Sequence, residues 1–259
     1  MSALSATSLV LRRGRRLVLD GVSATIAPGC VTAILGPNGA GKSSLLLAMA
    51  GLLPVASGSV LLDGRPVRQL SPRERGRRIG YLAQSADVHW DLSVEAVVTL
   101  GRHPHRGAFG GLSAADAAAI ARAMALTDVA GFAERPVKQL SGGERARVLL
   151  ARLVAGEPQA VLADEPLANL DLAHQADSIA LFRALAASGA AVVLVLHDLS
   201  LVQRVADRVL LLHEGRVAAE GTPDAVLLPD TLAAVYGVRV DVLAGPGGER
   251  LLAPGGRLG

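Results

Sequence analysis

Apolar and polar residues follow two different periods along the chain, and the changes of period mark its elements. Val31-Thr32-Ala33-Ile34-Leu35 is a β-branched apolar run that reads as a buried strand. Leu45 to Ala50 is a run of strong helix formers. Upstream, residues 4–27 predict two short strands with a turn at Gly14, the second in mixed alternation with a turn signal at Asp20-Gly21. Pro28-Gly29 interrupts the chain ahead of the 31–35 strand. Downstream, Pro54 to Gly58 breaks it again, and Gly58 to Leu62 predicts a strand ending in a turn at Asp63-Gly64. Ser71 and Pro72 read as the cap and first residue of a short basic helix. Ile79 to Gln84 is a short strand. From Leu92 to Arg135 the pattern turns to Ala-rich helices, one opening at Ser93 and a long one running from Ser113 to about Leu126. Ser141 caps a helix that continues through Leu153, and residues 160–164 and 192–196 are further buried strands. Strands alternating with helices predict an α/β protein. A block of helices between sheet strands predicts an inserted subdomain.

Composition adds limits. The 259 residues are 51% hydrophobic but only 2% aromatic, so the core must be built from Ala, Leu and Val. The net charge of +3 is too small to argue for nucleic acid, and no nucleic-acid partner is expected. Lys42 and Lys138 are the only lysines, the other basic residues being arginines. Cys30 is the single cysteine, which excludes an internal disulfide and reads as a small filler after Pro28-Gly29. No apolar run approaches the roughly 18 residues of a membrane helix, and the N-terminus lacks a signal-peptide layout. The expected location is cytoplasmic unless a partner brings the chain to a membrane.

The chemistry begins at Gly36-Pro37-Asn38-Gly39-Ala40-Gly41-Lys42-Ser43-Ser44. Lying between a predicted strand and a predicted helix, this G-x-x-x-x-G-K-S reads as a phosphate-binding loop. Gly36, Gly39 and Gly41 let the backbone curl so that N–H groups point inward. The helix N-terminus adds positive charge, Lys42 reaches the β- and γ-phosphates, and Ser43 is placed to ligate Mg2+. Gln84 is either a polar exit from the sheet or a reach toward Mg2+ and the attacking water. Ser141-Gly142-Gly143-Glu144 places two glycines at a helix start, where they weaken the helix. They fit either a close approach by an anion or a flexible helix end. His103 and His105 flank Pro104 without cysteine or carboxylate company, which favours a cationic surface loop over a metal site.

With the phosphate loop followed by Leu140-Ser141-Gly142-Gly143-Glu144, the chain resembles the nucleotide-binding subunits of ABC transporters. The resemblance spans residues from about 4 to 242 and implies a P-loop NTPase: a RecA-like mixed sheet core, an N-terminal antiparallel β-subdomain and an inserted α-helical subdomain. The implied division is an ATPase domain at 1–242, with its core at about 1–84 and 156–242 and its helical subdomain at about 85–155. The Gly- and Pro-rich residues 243–259 read as a flexible tail. On the matching motifs, Asp164 with Ser43 and Gln84 would hold Mg2+, and Glu165 would polarise the attacking water. Adjacent carboxylates on a strand point to opposite faces, which would separate these two tasks. His197 would contact the γ-phosphate, and Asp171 stands in the loop Leu167-Ala168-Asn169-Leu170-Asp171 that the family keeps after its paired carboxylates. Ser141 to Glu144 would cover the ATP of a second copy, implying a homodimer. The family's adenine-stacking aromatic is missing from Leu11 to Arg16, and Arg12 or Arg13 would stack on the base instead.

The resemblance also implies a transport role. LSPRERGRRIGYLAQ, LSVEAVVTLGRHPHRG and GTPDAVLLPDTLAAVYGV are similar to ATPases of importers for ferric siderophores, haem and cobalamin, with a ferric siderophore the first expectation. The implied partners are two copies of a membrane permease and, indirectly, a periplasmic substrate-binding protein. The implied place is the cytoplasmic face of the inner membrane, with a transporter for another cargo, an exporter included, as the alternative. A DNA-repair ATPase of the superfamily would need a long heptad insertion, and a translation factor would need a second cassette. A small-molecule kinase would leave residues 140–144 and His197 unexplained.

Overall fold

The structure is a computed structural model and describes residues 3–84, 91–107, 110–168, 170–244 and 250–257. In chain order it runs β1 (Leu4–Arg13), β2 (Arg16–Ile26), β3 (Val31–Leu35), α1 (Lys42–Met49), β4 (Ser57–Leu62), β5 (Arg65–Pro66), α2 (Pro72–Arg78) and β6 (Ile79–Leu82). A helical stretch follows: α3 (Val94–Thr99), α4 (Ala114–Leu126) and α5 (Gly142–Ala155), with 3-10 turns between them. The chain returns through β7 (Ala160–Asp164), α6 (Leu172–Ala187), β8 (Ala191–Val195), α7 (Leu199–Val205), β9 (Arg208–His213) and β10 (Arg216–Gly221). It ends with α8 (Pro223–Val226), α9 (Pro229–Tyr236), β11 (Val238–Ala244) and β12 (Arg250–Arg257).

The main sheet has the order β10-β9-β3-β8-β7-β6, parallel from β9 to β6 with β10 antiparallel at one edge. All residues of β3, β7 and β8 are buried, as strands covered on both faces must be. Alternation then decides which layer each side chain joins. Ile34, Leu162, Val193, Val195, Leu210 and Leu212 face α1 and the antiparallel sheet β2-β1-β4-β5. Ala33, Leu35, Val161, Ala163, Leu194 and Leu211 face the opposite layer, to which α3 to α7 contribute. Because α1 lies between two sheets, apolar side chains surround it on all sides, and its sequence is apolar apart from its first turn. Phe182 on α6 is the one aromatic among the largest fully buried side chains, so aliphatic packing fills the interior.

Several local readings take physical form. Ser71 caps α2 by accepting from the Glu74 amide, with Pro72 at the first position. Ser113 and Ser141 each complete a capping box, with Asp116 and Glu144 returning the bond. Part of the stretch 243–259 takes strand form, since residues 238–244 pair antiparallel with 250–257. Alternating Val238, Val240 and Val242 supply the strand pattern, and buried Val240 anchors it to the core. Residues 85–90 of the implied helical subdomain, Asn169, and residues 1–2, 245–249 and 258–259 lie outside the described residues, as do 108–109.

One buried ion cluster ties the helical stretch together. Arg102, 6% exposed, donates to Asp116 Oδ1 at 2.7 Å, to the Ala155 carbonyl at 3.0 Å and to Glu157 at 2.8 Å. The Ser113 hydroxyl and then Arg102 hold the Asp116 carboxyl far below the ordinary range. Nearby, Arg73 and Arg77 of α2 donate to the carbonyls of Pro104 and His105, and His105 Nε2 lies 3.0 Å from the Gly156 carbonyl. Removing the cation would leave the buried Asp116 carboxylate to Ser113 alone and take the donor from the Ala155 carbonyl, while Glu157 would keep Arg122. Arg102→Met is expected to destabilise the protein by about 3 kcal/mol, read as a lower urea midpoint at unchanged slope.

Candidate active site

Parallel register brings the candidate residues to one edge. Leu82 pairs with Ala163, so Gln84 and Glu165 each lie two residues beyond a matched pair. Ala163 pairs with Leu194, and Ile34 with Val195, which carries His197 and Gly36 to the same end. This is the carboxyl edge of the sheet, where open α/β folds place ligands. A cavity of about 340 Å³ lies there, lined by residues that include Lys42, Ser43, Ser44, Gln84, Glu165 and His197.

The loop from Gly36 to Ser44 depends on backbone that only glycine supplies easily. Gly36, Gly39 and Gly41 have φ of 144°, 82° and 102°. A Cβ on Gly36 would meet the Leu212 carbonyl oxygen at 2.2 Å, and one on Gly41 would meet Leu19 Cδ2 at 2.7 Å. Ala40 closes the curl by donating to Pro37 O and receiving the Gly215 amide on its own carbonyl. No side chain caps α1, so the amides of its first turn face the loop with their partial positive charge. Lys42 Nζ donates to Gly36 O at 2.6 Å and Pro37 O at 2.9 Å. Burial lowers its pKa, while Glu165 and Asp164 draw it back up.

The paired carboxylates separate by a turn and not by strand alternation. β7 ends at Asp164, and Glu165 takes a left-handed φ of 50° while its amide still donates to Val195 O. That conformation costs a non-glycine residue about 1–3 kcal/mol, the kind of strain that collects at reacting sites. It brings Glu165 Oε1 to 2.5 Å from His197 Nε2. Asp164 is 4% exposed, and its Oδ1 has no hydrogen-bond partner among the described residues. Burial raises its pKa, and the Ser43 hydroxyl beside it pulls the other way. An orphaned carboxylate oxygen next to a hydroxyl fits the hard-oxygen donor set of a divalent cation.

At the other end of the cavity stand Arg13 and Arg16, a cross-strand pair at the β1–β2 turn. Arg12 does not line it. Arg16 was invisible as a candidate in the sequence; its pairing with Arg13 appears only once hairpin register is set. Ser141, Gly142, Gly143 and Glu144 do not line the cavity. Ser141 accepts from the Glu144 amide at the exposed start of α5. Asp171 caps α6 by accepting from His174. Tyr236 also escaped sequence reasoning, yet its hydroxyl accepts from the Gly36 amide at 3.0 Å.

A phosphate loop on the central strand, with an acidic strand end beside it, defines a P-loop nucleoside triphosphatase. The profile of the ABC transporter family matches residues 19–168. The hemin import ATP-binding protein HmuV of Streptomyces coelicolor is 49% identical over 242 residues, covering 93% of this chain and 86% of that protein. The cobalamin import ATP-binding protein BtuD of Halobacterium salinarum is 45% identical, over 94% of this chain and 61% of its own length. A solved structure described as a metal-chelate-type ABC transporter in an inward-facing conformation shares the fold with a TM-score of 0.84, 25% identity and 98% coverage of both chains. The chain therefore belongs to the ABC transporter family, as an ATP-binding subunit and ATPase. None of the helices among the described residues is long and apolar enough to cross a membrane.

Two outcomes test this geometry. Gly41→Ala is expected to abolish nucleotide binding by calorimetry, because the added carbon strains a left-handed backbone and meets Leu19. Asp164→Asn is expected to raise the melting temperature at pH 7. Its folded pKa is raised, so the unfolded chain loses that proton first and stability falls as pH rises through the raised value. Below the ordinary carboxylate range both states hold the proton, and the gain should vanish there.

Proposed function

We propose that the chain hydrolyses ATP with Glu165 as the general base, and that this powers import of a metal held in an organic chelate. The observation that carries the catalytic reading is the Glu165–His197 contact at the mouth of the Lys42 cavity. Backbone amides of residues 39–44 and the Lys42 ammonium hold the β- and γ-phosphates. Glu165 accepts a proton from water as the water oxygen bonds the γ-phosphorus. The bond to the bridging β-phosphate oxygen breaks, releasing ADP and phosphate. His197 orients Glu165 through Nε2 and, being partly exposed, reaches the γ-phosphate. Asp164, Ser43 and Gln84 would hold Mg2+, which when bound supplies positive charge to the phosphate oxygens.

Because residues 141–144 stand away from the cavity of their own chain, they are assigned to the ATP of a second copy in a head-to-tail homodimer. Asp171, at the exposed start of α6, lies in the contact between copies. The segment from 85 to 155 is assigned to docking two permease subunits, with this chain peripheral at the cytoplasmic membrane face and a binding protein delivering cargo outside. Haem moves ahead of ferric siderophore and cobalamin as the cargo, on the strength of the Streptomyces relative's name.

Glu165→Gln is expected to lower phosphate release by about a hundredfold or more while ATP drives the protein into a dimer, seen by light scattering. Unchanged turnover would remove Glu165 from its role. Lys42→Ala is expected to weaken ATP binding. In the complex with its permease, a haem-loaded binding protein should stimulate ATPase activity more than one carrying a ferric siderophore or cobalamin.

A further inference from the structure

The C-terminal unit reaches back across the whole chain to the phosphate loop. Tyr236, the last residue of α9, accepts a hydrogen bond from the Gly36 amide at 3.0 Å, 200 positions away in sequence. Gly36 is buried and holds a φ of 144°, with its Cα pressed over the Leu212 carbonyl. The phenol is the partner of its amide, and the neighbouring strand crowds its Cα. Burial raises the pKa of the phenol, so the hydroxyl stays neutral and available as an acceptor. The next residues of the loop supply the carbonyls that hold Lys42 Nζ, those of Gly36 itself and Pro37. The unit is anchored elsewhere too. Leu232 and Val240 are buried in the main core, Tyr236, Val238 and Leu252 pack against it, and β12 lies beside α7, the helix that follows His197.

We propose that Tyr236 is a positioning residue for nucleotide binding: its hydroxyl fixes the Gly36 amide, and through the Gly36 and Pro37 carbonyls it presets the phosphate loop and Lys42 for the triphosphate. It does not line the Lys42 cavity itself. The inference rests on the assignment of the loop to ATP. A preset loop serves bound ATP and the transition state alike, so losing it raises KM and leaves kcat in place.

The test is Tyr236→Phe, which removes only the oxygen, set beside Val240→Ala, which loosens the hairpin and leaves the hydroxyl. In the full chain, Tyr236→Phe is expected to raise KM and Kd for ATP about three- to tenfold with kcat within about twofold of the parent. The Gly36 amide should exchange its proton faster, while the amides of Val31 to Leu35 do not. Val240→Ala should lower the melting temperature at least as much yet leave KM unchanged. An unaltered KM in Tyr236→Phe, or an equal rise in Val240→Ala, would overturn the proposal. Absence of ATP hydrolysis by the parent chain in the same assay would instead overturn the catalytic reading on which it rests.

Discussion

Lys42 Nζ sits against two carbonyl oxygens at the carboxyl edge of a parallel sheet, with the carboxylates of Asp164 and Glu165 near enough to shift its titration. Burying a lysine is unfavourable unless its charge is answered, and here carbonyl dipoles and two acids answer it. The arrangement needs a loop that folds back on its own helix, hence left-handed glycines at 36, 39 and 41. It needs a strand covered on both faces to hold that loop still. It also needs strand ends aligned to place the acids opposite the amine. Most of the fold can be understood as the support for this one desolvated ammonium.

The acids show how the support costs stability at the site and recovers it elsewhere. Asp164 keeps an oxygen without a partner, and Glu165 holds a strained left-handed backbone to meet His197. Both are unfavourable in the protein alone, the kind of local strain that collects at reacting sites. The surrounding strands of Ala, Val and Leu, together with the Arg102 cluster, supply the compensating order. The expectation that strand alternation would separate the two carboxylates fails for a local reason: the strand stops at Asp164, and a turn redirects the next side chain.

Residues 36–44 are legible because the phosphate loop, its strand and its helix are contiguous, and each residue answers a local demand. Capping by Ser71, Ser113 and Ser141 is legible for the same reason, since the partner is three residues on. The pairing of residues 238–244 with 250–257 is less legible, because it joins two stretches that no local pattern ties together. Arg16 and Tyr236 reach the phosphate loop's surroundings by cross-strand register and by a contact 200 positions apart, and no local pattern reports either.

By itself, then, the sequence determined the phosphate loop, the strands and helices up to residue 164, and the chemistry offered at their ends, because periodicity and backbone preference act over a few residues. The tertiary structure decided which of those ends share a cavity. It brought Gln84, Glu165 and His197 to Lys42, kept residues 141–144 away from them, and set Tyr236 beneath Gly36. The physical reason is register: parallel pairing aligns segments far apart in the chain, and that alignment is a property of the packed sheet and not of any one stretch.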